Sequence, residues 1–230
     1  MANEKQITEK ESLEIITNMI KKAKGSYYDT GIGSLLWGSV VAIASFTTYL
    51  EREYDFWIGF DIWLIVLAAI VPQIIISVRE KRTQVVLKYE DDALNAVWLV
   101  YGISIFGMIA YQNIIPGATI KLNATEGWQM MKHYTDNRVP DQELRPFAPS
   151  VYSLFILLYA FPTLVTGIVK KFKPMLLGSF IAYASFIISC FTAAKYDMLL
   201  GGVTAIFCWF IPGIILRRKY LAQKKATANV

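Results

Sequence analysis

Histidine occurs once and cysteine only twice in 230 residues. A zinc or transition-metal site needs several nitrogen or sulfur ligands at defined spacing. One His133 among the scattered acids Asp136, Asp141 and Glu143 does not meet that need. The chain also lacks a nucleophile elbow, an HExxH pair, a His–Cys pair and paired acids within its apolar stretches. No enzyme, cofactor or metal is therefore expected. Cys190 and Cys208 fall in successive apolar helices at depths about 10 Å apart, too far for a disulfide, and read as small buried hydrophobes.

Charge is scarce as well. Charged residues make up 18% of the chain, hydrophobic ones 55%, and the mean hydropathy is +0.40. A soluble domain of this size is excluded by that composition. The first 25 or so residues are polar and lack the apolar core and small-residue site of a cleavable signal. The first apolar segment is thus expected to serve as an uncleaved anchor.

What the chain does have is long apolar runs. Windows of membrane-spanning length lie at about 31–50, 56–78, 93–115, 151–169, 174–194 and 197–216. The fold class expected is all-α: a polytopic bundle of six spans over 26–220, preceded by a cytoplasmic helix within 1–25 and followed by a tail, 221–230. The one sizeable loop, 116–150, is expected as ordered surface structure on the outer side.

The net charge of +5 could suggest nucleic acid, but its distribution argues against that partner. With the N-terminus inside, seventeen Lys and Arg fall on the inner side and six on the outer, while the acids divide nine and nine. Basic residues alone carry the asymmetry, which predicts cytoplasmic termini. The expected partner is the lipid bilayer.

Two segments read as copies of one another. Aligning 36–46 with 176–186 gives identity at Leu36, Gly38, Ser39, Ala42, Ala44, Ser45 and Phe46. Seven matches in eleven exceed the roughly one in ten expected from composition. The same offset pairs Pro72 with Pro212. The third and fourth spans read as a more divergent copy, with Gly102 in the place of Gly38 and Pro162 before a basic stop. The arrangement predicted is three tandem parallel hairpins.

Residues 7–24 read as an amphipathic helix, capped by the Thr8–Glu11 pattern and ended at Gly25. Leu13, Ile16 and Ile20 mark its apolar face, which suits the inner leaflet or a cytoplasmic protein partner. Along this opening stretch, through GSYYDTGIGSLLWG at 25–38, the sequence resembles uncharacterised bacterial multi-pass membrane proteins. The resemblance covers about the first third. It implies a bacterial inner-membrane location and nothing about activity. The Gly31-Ile32-Gly33 motif is not a phosphate loop, because no strand precedes it and no Lys-Ser/Thr follows.

Small residues mark helix-packing faces: Gly38, Ala42 and Ser45 on the first span, Gly178, Ala182 and Ser185 on the fifth. Pro72, Pro162 and Pro212 are read as kinks on packed faces. Asp61 is the full charge read as intramembrane, one and a half turns into the second span. The function expected first is a non-catalytic interaction or regulatory subunit with a dry, packed interior. The alternative is a small-solute or ion transporter with Asp61 in its pathway.

Overall fold

The computed structural model describes residues 12–13, 30–83, 89–136, 139–144 and 151–228. Apart from Ser12 and Leu13, the amphipathic stretch 7–24, with Ile16 and Ile20, lies outside them.

The described chain is all-α save for one two-residue ladder. Its helices are α1 (Ile32–Tyr54), α2 (Trp63–Ala68), α3 (Ile70–Thr83), α4 (Tyr89–Thr125), α5 (Val151–Val169), α6 (Lys173–Ser189), α7 (Ala194–Ala205) and α8 (Ile211–Ala228). Between α7 and α8 runs a π-helical turn, Ile206–Phe210. Five helical stretches are long and apolar enough to cross a membrane, and α6, with 17 residues, is shorter. This is a helical membrane protein.

The prolines shape the spans through the backbone bond each removes. Pro72 leaves the Ala68 carbonyl without its usual donor, and the helix breaks there into α2 and α3. Pro212 does the same for Cys208, within the π turn just upstream. Pro162 lies inside α5, where the Thr163 and Thr166 hydroxyls donate to the Tyr159 and Pro162 carbonyls at 2.8 and 2.7 Å. Pro162 and Pro212 are buried. Pro72 is exposed, so the packed face expected for it is not there.

Three boundaries differ from the sequence reading. Residues 55–62 form a non-helical corner, with Asp55 and Gly59 at φ 52° and 94°. The second span therefore begins at Trp63 rather than at 56. Helix α4 passes through Pro116 to Thr125, so the first part of the expected loop is helical. Helix α8 continues to Ala228, through most of the expected tail.

Helices α1, α5, α6 and the α7–π–α8 rod pack closely against one another. Their small residues permit this. A Cβ on Gly38 would lie 2.5 Å from the Phe210 nitrogen, and one on Gly178 would lie 2.3 Å from the Phe207 carbonyl oxygen. The π turn is thus held between the backbones of α1 and α6. Ala42, Ser45, Ala182 and Ser185 are buried beside these contacts. By contrast, Gly102 has nothing within 4 Å of its hypothetical Cβ, so it does not pack as Gly38 does. Cys208 is buried and Cys190 exposed at the end of α6; both are free, and only Cys208 is the buried hydrophobe anticipated.

Gly38→Ala and Gly178→Ala should each destabilise the bundle by about 1–3 kcal/mol through overpacking. Gly102→Ala should be neutral or slightly stabilising. Reversible unfolding in mixed micelles, followed by helical circular dichroism, checks both. Equal effects at all three glycines would contradict the clamp.

Candidate functional site

Helices α2 and α3 rest against α1, and α4 against α5, at the edge of the close-packed core. Among the described residues, no Cα of α2 or α3 comes within 8 Å of a Cα of α4. Between these helices and the core lies a cavity of about 2060 Å³. That exceeds the roughly 300–1,000 Å³ of ordinary ligand pockets. The closely filled interior expected from the apolar central turns is not what the described helices build.

The middle of the cavity is aromatic. Tyr101 of α4, Tyr159 of α5 and Trp209 of the π turn form a cluster with centroids 4.9 to 6.4 Å apart, and Trp98 joins it edge-on to Tyr101 at 5.5 Å. All four line the cavity. Such tilted and edge-to-face pairings suit the ring quadrupoles.

Three tryptophans are tied by one recurring device. Trp63, Trp98 and Trp209 each donate their indole N–H to a threonine hydroxyl: Thr48 at 3.0 Å, Thr166 at 3.1 Å and Thr163 at 3.1 Å. Each threonine in turn donates to the carbonyl four residues earlier on its own helix. An indole N–H in apolar surroundings needs an acceptor, and a back-bonded threonine supplies one without water.

The two ends of the cavity are charged. At one end Lys170 pairs with Asp91, the Thr30 hydroxyl donates to Glu80, and Lys219 lies 5.2 Å over the Phe172 ring. At the other stand Glu51, Arg52, Asp61 and Asp197. Lys195, which pairs with Glu53 at 2.9 Å, is close by in sequence.

Asp61 is not the intramembrane acid it was expected to be. It lies in the corner before α2, exposed, and its Oδ1 accepts from the Trp63 backbone N–H at 2.9 Å. That bond serves a free amide at the helix start. Two acids are buried among the described residues, Asp91, which pairs with Lys170, and Asp197. Asp197 is the one without such a pair. It occupies the first turn of α7, is 2% exposed, and has no hydrogen-bond partner for either carboxylate oxygen among the described residues. Sequence reading passed over it because it stands at the edge of an apolar run, where an acid ordinarily reaches water. The signal available was AKYDMLLGG itself, an acid one turn before a Gly pair that draws α7 against α1. Gly201 faces Ser45 and Gly202 faces Phe46.

The single histidine has a local role. His133 Nδ1 lies 2.9 Å from Asp141 beside the short ladder of Met131–Lys132 with Gln142–Glu143, all exposed. No cluster of three potential metal ligands occurs among the described residues. No family model, curated protein or solved structure matches the chain.

Thr163→Val should cost about 1–3 kcal/mol, because it strands the Trp209 N–H in a buried site. Thr48→Val should cost less, since Trp63 is only half-buried. Unfolding monitored by tryptophan fluorescence orders the two; a larger loss at Thr48 would contradict the assignment.

Proposed function

We propose that this chain is a non-enzymatic membrane carrier, which admits a small solute to the space between its helices. One observation carries the reading: a half-open cavity of about 2060 Å³ whose lining includes Asp61 and Asp197 as well as Asp91 and Lys170. A packed interaction subunit has no use for such a space. A carrier needs one, with polar groups at its mouths and an apolar middle that a free ion does not cross unaided. Within this reading Asp197 takes the role considered for Asp61, since a buried acid in a membrane helix is costly unless it serves a ligand or an ion.

The surrounding architecture belongs to the same proposal: tandem parallel hairpins in a bacterial inner membrane, with both termini cytoplasmic. Cysteines at Glu53 and Asn137 should react with an impermeant thiol reagent outside intact cells, in a background lacking Cys190 and Cys208. A cysteine at Thr83 should not. The reverse pattern would invert the orientation.

Residues 7–24 carry a separate and compatible proposal, a face for a cytoplasmic protein partner or the inner leaflet. Leu13 is 63% exposed. Removing residues 1–25 should release whatever the face holds and leave the bundle folded.

The carrier reading is tested at mid-cavity. Val66 lines the space near the aromatic cluster. In the same cysteine-free background, Val66→Cys should react with a small water-soluble methanethiosulfonate. A cysteine at Ile43, which is exposed on α1 and does not line the cavity, should not. An inert Val66→Cys would sink the carrier reading.

A further inference from the structure

The charged mouth around Asp197 has a more specific chemistry, which rests on the carrier reading. Three carboxylates, Glu51, Asp61 and Asp197, share this end with one cation, Arg52. Two of the three are already engaged by backbone amides. Glu51 Oε1 accepts from the Ile58 N–H at 3.2 Å, and Asp61 Oδ1 accepts from Trp63. Among the described residues Asp197 has no hydrogen-bond partner, although it is 2% exposed and borders the cavity.

Arg52 does not neutralise it by contact. Its guanidinium is held elsewhere: Nη2 donates to the Tyr152 hydroxyl at 3.2 Å, and Cζ lies 4.9 Å over the Tyr152 ring. Yet Arg52 is the charge that bears on Asp197, and the Tyr49 and Tyr196 rings lie 6.2 Å apart, so the two groups stand at similar depth. The mouth is left with net negative charge and one carboxylate whose lone pairs are unused. An uncompensated buried carboxylate is costly and is relieved by a counter-cation.

The same cavity is lined by the apolar and aromatic α5 side chains Phe155, Ile156 and Tyr159, and α5 packs against α7, which carries Asp197. Tyr159 is seven residues along α5 from Tyr152, roughly 10 Å deeper. Aromatic faces attract organic cations. A small hydrated ion gains nothing from such walls.

We infer that the cavity binds a lipophilic organic monocation, its charge against Asp197 and its apolar body against Phe155, Ile156 and Tyr159.

Tetraphenylphosphonium and tetraphenylborate have one shape and opposite charge, and equilibrium dialysis with the purified full chain in maltoside micelles compares them. The phosphonium should bind saturably and the borate should not. Asp197→Asn should weaken phosphonium binding at least about tenfold, as loss of a charge pair in a low-dielectric site requires. Asp197→Glu should retain binding, and Arg52→Gln should tighten it. If Asp197→Asn fails to fold, the comparison of the two ions and the Arg52→Gln response still decide. Equal binding of both ions, an unchanged affinity in folded Asp197→Asn, or no phosphonium binding would each overturn the inference. Competition by phosphatidylethanolamine but not by phosphatidylglycerol would assign the mouth to a lipid ammonium head and overturn it too. Reactivity of Val66→Cys reports separately on whether the cavity admits solute, so failure of the cation inference is distinguishable from failure of the carrier reading.

Discussion

Two glycines let three helices meet at backbone distance. Gly38 and Gly178 press α1 and α6 against the π turn from two sides, at separations where any Cβ would collide with main-chain atoms. In lipid, apolar side chains gain little by leaving the solvent, so close backbone packing and interhelical hydrogen bonds must supply the association energy. The position of the π turn follows from this clamp. So does the direction of Trp209, which the turn carries inward to Thr163. With Trp209 placed, Tyr159 and Tyr101 complete the aromatic middle of the cavity.

The same rule explains why the bundle can hold a large space at all. In water, helices α2 to α4 would collapse onto the core to hide their exposed leucines, isoleucines and valines. In a bilayer those side chains face acyl chains at no comparable cost, and nothing forces the gap shut. Helices α2 and α3 rest against α1, and α4 against α5. The indole-to-threonine bonds of Trp63 and Trp98, the Lys170–Asp91 pair and the Thr30–Glu80 bond hold them there.

How far the sequence could be read depends on which kind of information each feature carries. Spans and small-residue faces are one-dimensional signals. Apolar length shows the helices, and the spacing of Gly38, Ala42 and Ser45 shows which face of α1 approaches a neighbour. The corner at 55–62 defeated the same reasoning, because FWIGF is as apolar as a helix start. Only the left-handed conformations of Asp55 and Gly59 keep it out of the helix and leave Asp61 exposed. Asp197 was hidden for the opposite reason. Its burial comes from α7 lying against α1 at Gly201 and Gly202, a lateral contact that position along the chain does not reveal. The cavity is further still from the sequence, since it depends on which helices fail to pack.

The two acids illustrate how membrane depth and burial differ. Asp61 has the more apolar sequence neighbours, yet it ends a corner, meets solvent and binds an amide, so its charge costs little. Asp197 sits beside Lys195 in sequence and near a helix end, where snorkelling to water is ordinarily cheap. A short side chain cannot reach outward as a lysine can, and Lys195 pairs with Glu53. Both carboxylate oxygens of Asp197 stay buried where the residue borders the cavity. Charge held there acts through low-dielectric surroundings, and the field it sets up extends along the aromatic wall rather than into solvent. The position of a single short acid thus adds a buried charge-bearing group at one end of a cavity whose middle is apolar.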